Sequence, residues 1–289
     1  MSSKDAVIPF LFESLPVRGA FVQLDGAWQQ MRDGHHYAAP VAEILGHAAA
    51  ATTLIAQSLK FDGSITLQIN SDGLLRMLVM QCTDKLDLRG MASSEDASDT
   101  ARFAELVIGA RCAVTVNAGA MARPYQGIVE FREESLAASL ENYFAHSVQV
   151  PSLLKLVTGT NHCGGILLQQ MPGEQAASDD WQRLACLIAT LRTDELAPGA
   201  SAELLQKLFA EDDLRVFEPR PLRFRCRCSQ SRVEEVLRLL GEAEVREALA
   251  ERGRVEVNCE FCGKQRSFDP VDVGRLFAGP AAQRSDALH

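Results

Sequence analysis

Cys226-Arg227-Cys228 and Cys259-Glu260-Phe261-Cys262 put four thiols into the last quarter of a 289-residue chain. The segment between the two pairs is too polar and too helix-patterned to be a disulfide loop. Two close thiol pairs are the set that closes a tetrahedron around Zn²⁺. No histidine accompanies them at ligand spacing. Thiolates also oxidise, so an all-sulfur site can hold a metal when reduced and form disulfides when oxidised, with loss of the metal as the signal. A tail of about 60 residues with few large apolar side chains buries little, so a structural metal is the expected supplement.

The remaining bounds are ordinary. Hydrophobic residues make up 47% and charged residues 23% of the chain, as in a globular protein of about two domains. The start, Met1 to Phe10, has too short an apolar run and too early a proline for a secretory signal. No later stretch approaches about 18 uninterrupted apolar residues. A cytoplasmic protein with no membrane partner is expected, and in a reducing cytosol eight cysteines read as free thiols, metal ligands or redox sensors. The net charge of -9 is uneven: from residue 220 onward thirteen Lys and Arg stand against eleven Asp and Glu, +2, which leaves -11 for the rest. An acidic body argues against nucleic acid as the main partner, although Arg220, Arg223, Arg225 and Arg227 beside the first thiol pair keep a basic patch.

Periodicity predicts a first domain of mixed α and β structure over residues 1–173. Residues 20–24, 64–69, 74–82, 112–116, 127–131 and 166–170 alternate as strands, with turns at Lys60-Phe61-Asp62-Gly63 and Ser71-Asp72-Gly73. The Ala-rich run 41–59 reads as a long buried helix, and Ser135 caps a second one running through Tyr143-Phe144. A linker, 174–221, carries two amphipathic helices. Trp181, Leu184, Ile188 and Leu191 follow the start signal Ser178-Asp179-Asp180, and Leu204, Leu205, Leu208 and Phe209 follow Pro198-Gly199. With so little core of its own, such a connector has to lie on a neighbour. The tail, 222–289, starts a helix at the capping box Ser231-Arg232-Val233-Glu234 with an apolar stripe of Val233, Val236, Leu237 and Leu240. Val255 and Val257 alternate into the second thiol pair, Gly263 allows a tight turn that brings N–H groups onto the sulfurs, and Asp269-Pro270 begins a last helix.

Other reactive residues read as structural. Cys82, Cys112, Cys163 and Cys186 sit in apolar or strand-like surroundings and are expected to be buried thiols. His162 falls in a hairpin turn, and His35, His36 and His47 lack any ligand spacing. Trp181 reads as packing, and the arginines at 220–227 as a solvated face in which Arg225 and Arg227 also favour the thiolates.

Cys-x-Cys, thirty residues, then Cys-x-x-Cys at the C-terminal end resembles the zinc-binding redox switch of the 33-kDa heat shock protein family. Arg18-Gly19, Leu59-Lys60-Phe61-Asp62-Gly63, Tyr125-Gln126-Gly127-Ile128-Val129, Tyr143-Phe144, Gly164-Gly165-Ile166-Leu167-Leu168-Gln169 and Cys259-Glu260-Phe261-Cys262-Gly263 are similar to that family's stretches, in its order. The chain departs at Ser147-Val148-Gln149-Val150-Pro151-Ser152, where the family pattern has Glu after the Ser.

The resemblance implies an α+β fold with an N-terminal domain, a helical linker and a C-terminal zinc switch. It implies a holdase chaperone, not an enzyme. That chaperone is inactive while Cys226, Cys228, Cys259 and Cys262 hold one Zn²⁺, and active once disulfides Cys226–Cys228 and Cys259–Cys262 form, zinc leaves, and the switch and linker unfold. Its partners would be unfolding client proteins, with a homodimer in the active state. Binding of Zn²⁺ by a small thiolate module contributes on the order of 10 to 16 kcal/mol, and short-loop disulfides cannot replace it. Three other classes fit less well. A zinc-ribbon nucleic-acid binder needs a basic, aromatic surface, a thiol-disulfide oxidoreductase needs its Cys-x-x-Cys at a helix N-terminus, and a nucleotide-driven chaperone needs a phosphate-binding loop that is missing here.

Overall fold

Helix Ala39–Ser58 organises the first part of the chain. Pro40 sits in its first turn, Ala and Leu favour the helix, and fourteen of its twenty residues are buried. It is long and apolar enough to cross a membrane, but 78% of its most apolar 18-residue window is buried inside the protein. It is a core helix interrupted by Glu43, His47 and Gln57.

The computed structural model describes residues 5–59, 62–119, 123–131, 135–173, 176–196 and 201–278. The chain packs as two units, Met1–Arg225 and Cys226–His289. The expected turns at Lys60-Phe61 and Pro198-Gly199 lie outside the described residues.

The first unit begins with β1 (Ala6–Phe12), β2 (Val17–Leu24), α1 (Gly26–Arg32), α2 (the core helix Ala39–Ser58), β3 (Gly63–Asn70), β4 (Leu75–Thr83) and β5 (Asp87–Ser94). It continues with α3 (Phe103–Leu106), β6 (Arg111–Ala118), β7 (Tyr125–Val129), α4 (Leu136–Tyr143), β8 (Ser152–Thr158) and β9 (Cys163–Gln170). Helices α5 (Ser178–Ala189) and α6 (Ser201–Leu208) follow, then three short strands, β10 (Leu214–Val216), β11 (Arg220–Pro221) and β12 (Arg223–Phe224). One sheet runs β10-β1-β2-β9-β8, with β11 also on β1, and the other runs β12-β5-β4-β3-β6-β7. Helix α2 contacts strands of both sheets, and Leu45, Leu54, Ile65, Leu67, Leu78 and Leu167 belong to one core around it.

The other face of the first sheet carries a second core. Ile8, Phe10, Phe12, Phe21, Ile166 and Leu168 meet Leu184, Ile188, Leu191, Leu204, Leu205 and Phe209 of the α5–α6 segment. The amphipathic linker helices therefore bury their stripes on the first sheet, with Phe209 against the rings of Phe10 and Phe12. Arg183 and Asp212 tie the ends of that segment together at 2.7 Å.

In the first unit periodicity missed the strands β1, β5 and β10 to β12. Pro9 interrupts the reading of β1, yet its carbonyl accepts the Phe217 N–H at 3.0 Å on the side where the pairing shifts from β10 to β11, so its missing N–H is tolerated. Strand β5 carries Gly90 and small residues that do not alternate. Two of the family-like glycines are explained by close approach: a Cβ on Gly19 would collide with the Phe10 ring, and one on Gly127 with the Tyr143 hydroxyl. Val148, the departure from the family pattern, is exposed at the end of the turn Phe144–Val148, so no buried contact depends on a carboxylate there.

In the second unit are α7 (Gln230–Leu240), α8 (Glu242–Arg252), β13 (Val255–Asn258), β14 (Gln265–Phe268) and α9 (Pro270–Phe277). Its core is small: Leu237, Val245, Val255, Phe268, Val273 and Leu276. The cap of α7 is Ser229, whose hydroxyl accepts the Arg232 N–H, rather than Ser231. Of the expected stripe, Leu237 is buried and Val233 packs at the margin, while Val236 and Leu240 are exposed. Asp269 caps α9 with Pro270 in the first turn, as its sequence predicts.

Candidate metal centre

Alternation of apolar and polar residues from Leu222 to Cys228 keeps this chain extended, and Ser229 ends it by capping α7. The second thiol pair occupies the turn between β13 and β14. There the N–H groups of Cys262 and Gly263 donate to the Cys259 carbonyl at 3.3 and 2.8 Å, and Gly263 takes φ +65°. That left-handed residue lets the Lys264 N–H reach the Cys262 sulfur, and the Cys228 N–H reaches the Cys226 sulfur. The expected turn onto the sulfurs is present.

The four sulfurs converge. Cys226 Sγ lies 3.6 Å from Cys259 Sγ, Cys228 Sγ lies 3.5 Å from Cys262 Sγ, and all four lie within 4.8 Å of one another. Zn–S bonds of about 2.3 Å in a tetrahedron require sulfurs roughly 3.8 Å apart, so this set fits a tetrahedral thiophilic metal. It is the only such group of His, Cys, Asp or Glu ligands among the described residues. All four cysteines are half-buried, enough to shelter a site and still admit an oxidant.

Without a metal the cluster shifts its thiols in different directions. Burial pushes the Cys226 thiol up, and it pushes the Cys262 thiol up to about 12. Burial also opposes ionisation of Cys228, but hydrogen bonds from Cys262, Cys226, Cys259 and Arg266 outweigh it and bring this thiol below its ordinary range. Arg266 is a site residue that the sequence reading missed. It lies on β14, two positions past Lys264, and its other bond, to Gln230 Oε1 at 3.1 Å, holds it beside the cluster.

Of the two arginines expected to tune the thiols, Arg225 does something else. Arg225 Nη1 and Arg223 Nε bind the two oxygens of Asp87 at 3.1 and 2.6 Å. Partial burial opposes ionisation of Asp87, but the two guanidiniums outweigh it and hold the carboxyl below the usual range. Arg220 bonds Gln57 and the Asp84 carbonyl. Arg220, Arg223 and Arg225 thus anchor this segment within the first unit.

The other cysteines divide. Cys82, Cys112 and Cys163 are buried, and burial drives the first two thiols up to about 12 and holds Cys163 well above its ordinary range. Cys186, expected to be buried, is exposed on α5, because its position faces away from the stripe that packs on the sheet. His162 lies in the β8–β9 turn, with Nε2 2.8 Å from the Thr193 carbonyl. His47 is lowered to about 4 by burial and by the charge of Lys155, so it stays neutral.

A large α+β unit with a central helix, followed by a small unit whose four converging thiols could hold a metal ion, defines the class of this protein. The chain belongs to the Hsp33 protein family, whose model matches residues 5–269. A 33 kDa chaperonin of Nitrosococcus oceani is 40% identical over 277 residues, covering 96% of each chain. The 33 kDa chaperonin of Serratia proteamaculans is 35% identical over 295 residues, covering 100% of both. The solved structure of the 33 kDa chaperonin (heat shock protein 33 homolog) from Thermotoga maritima shares the fold, with a TM-score of 0.77 at 22% identity, over 94% of this chain and 97% of that one. The expected family and α+β fold are both borne out.

Proposed function

We propose that this chain is a cytoplasmic, ATP-independent holdase whose four-cysteine module is a redox switch. The observation that carries this reading is the position of the cluster in the chain. Cys226 directly follows residues 214–225, which pair with the edges of both sheets, and the helices just before them cover the apolar face of the first sheet. Bound Zn²⁺ would keep Cys226, Cys228, Cys259 and Cys262 as thiolates and stabilise a module whose own core is six residues.

Oxidation acts on the sulfurs. A thiolate attacks peroxide and becomes a sulfenic acid, and its neighbour displaces water from it. Each pair of thiolates thus gives up two electrons in becoming a disulfide, and the peroxide takes up those two electrons and two protons and leaves as two waters. Two peroxides close Cys226–Cys228 and Cys259–Cys262, the short-loop pairing of the family pattern. Neutral disulfide sulfurs no longer hold a dication, and bridges across one or two residues restrain the chain too little to replace it. Residues 174–225 then lose their anchor at the C-terminal end and free the sheet they cover for unfolding clients, in a dimeric active state. The acidic body favours protein clients over nucleic acid.

The test is aggregation of a heat-unfolded client followed by light scattering. The peroxide-treated protein is expected to suppress it, and the reduced, zinc-loaded protein is not. Suppression should disappear when a dithiol and zinc are returned. Equal suppression in both states would refute the switch.

A further inference from the structure

We propose that the edge of β5 is a binding site for an extended peptide segment of basic-apolar-basic pattern, occupied in the resting protein by the chain's own residues 222–225. The inference rests on the reading above only in taking the oxidised state as the one in which this strap leaves.

The strap is bound as a ligand would be. Arg223 and Phe224 pair in parallel with Asp87 and Leu88, whereas the other strand pairs of that sheet are antiparallel. Arg223 N donates to the Leu86 carbonyl at 3.2 Å, and Arg225 N donates to the Leu88 carbonyl at 2.9 Å. Leu222 is 4% exposed and joins the main core, and Phe224 packs on its margin. On the other side of the strap Arg223 and Arg225 close on the two oxygens of Asp87. Main-chain bonds, apolar pockets at alternate positions and a carboxylate for the residues between them are the components of recognition by strand addition.

The pairing is also short. It covers two residues of an eight-residue strand, and among the described residues no other strand pairs with β5 on that side. Natural sheets cover or blunt such edges, and here, beside helix α1 and the Tyr37 hydroxyl that accepts the Ala92 N–H, the strand that covers it is a segment ending one residue before the first cysteine of the cluster. While tethered, it competes at high effective concentration against any free peptide. Once detached, it leaves the Leu86 and Leu88 carbonyls, the Leu222 and Phe224 pockets and the Asp87 carboxylate to a client segment of like chemistry.

The probe is a fluorescein-labelled peptide of the strap's own sequence, Arg-Pro-Leu-Arg-Phe-Arg, read by anisotropy with full-length reduced, zinc-loaded protein. The double variant Arg223→Glu, Arg225→Glu sets two carboxylates against Asp87 and releases the strap without touching a cysteine. This variant is expected to bind the probe at least about tenfold tighter than the parent, since the tethered competitor is gone. Adding Asp87→Asn should return about tenfold of that, the scale of a charge-assisted hydrogen bond, and the control peptide Arg-Pro-Leu-Glu-Phe-Glu should not bind. Equal binding by parent and variant, or binding indifferent to Asp87→Asn, overturns the proposal. So does self-association of the variant with the probe excluded, which would give the edge to a second copy.

If the variant loses the parent's thermal transition, the oxidised parent is used instead with a photoreactive residue at the probe's Phe position. Crosslinks at residues 86–90 support the site, and crosslinks elsewhere overturn it. The two readings separate cleanly. An oxidised parent that prevents aggregation while its crosslinks fall elsewhere refutes the edge site alone. A variant that binds the probe through Asp87, in a protein whose oxidised form prevents no aggregation, refutes the chaperone reading alone.

Discussion

The Cys226 and Cys259 sulfurs, thirty-three positions apart in the chain, lie 3.6 Å from each other. The first ligand is thus held against the β13–β14 turn and not against its sequence neighbour alone, so a metal there would tie the N-terminal edge of the module to its hairpin. One zinc per chain is expected in the reduced protein. Cys259→Ser should weaken zinc binding at least about a hundredfold, beyond what loss of an outer-shell partner costs, and should abolish the module's thermal transition. Full occupancy in that variant, by metal analysis at limiting zinc, would remove the site.

The disulfide pairing is set by competing geometries. The shortest sulfur distances run across the pairs, yet all four atoms lie within 4.8 Å and both kinds of bridge are reachable. Peptide mapping of the oxidised protein is expected to give Cys226–Cys228 and Cys259–Cys262, because cross-pair bridges would staple the hairpin to the start of the module and keep it folded. A dominant Cys226–Cys259 bridge in the active protein would show that activation does not proceed by unfolding.

The thiols should titrate in a definite order once zinc is removed by a chelator. Cys228 is held below its ordinary range and Cys262 is pushed up to about 12. Cys228 should therefore be the first to ionise and alkylate as pH is raised, whereas Cys262 reacts only in strong alkali. Arg266→Ala should move the Cys228 titration upward. Mass-spectrometric alkylation profiles against pH check both points, and a profile in which Cys262 leads contradicts them. In the same samples Cys186 should label readily while Cys82, Cys112 and Cys163 stay protected by burial.

How much of this was legible beforehand differs by element. The α2 helix, the β3–β4 hairpin at Gly73, and the cluster were readable because long apolar periodicity and paired cysteines are local signals. The edge strands β10 to β12 were not, since strands of two or three residues carry no periodicity and exist only because a distant edge receives them. Arg225 was misread for the same reason. Its partner Asp87 is 138 residues away, and nothing local separates an arginine that tunes a thiol from one that anchors a strap. Arg266 could have been suspected from its place on the strand leaving the Cys-x-x-Cys turn, one of the few positions from which a side chain points back at the cluster.

Ile188, 4% exposed, is packed in the core between α5 and the first sheet. Ile188→Asp places a carboxylate there at a cost of about 3 kcal/mol or more, concentrated in the docking of the linker helices. The reduced variant is expected to keep its zinc, exchange its amides faster over 181–191 and 204–209, and suppress client aggregation partly, while 41–58 stays protected. If its linker exchanges as slowly as the parent's and it stays silent until oxidised, the client surface lies elsewhere.

The central claim is that metal loss, release of residues 174–225 and client binding are one event. It is tested most directly by adding peroxide to the zinc-loaded protein with an unfolding client present. Zinc release is read with a metallochromic dye, light scattering reports the client, and amide exchange over 204–225 is sampled from the same mixture. The account predicts that the three signals rise together, at one rate set by the oxidant. Suppression of scattering that precedes zinc release, or zinc release that leaves residues 204–225 protected and the client aggregating, would contradict it.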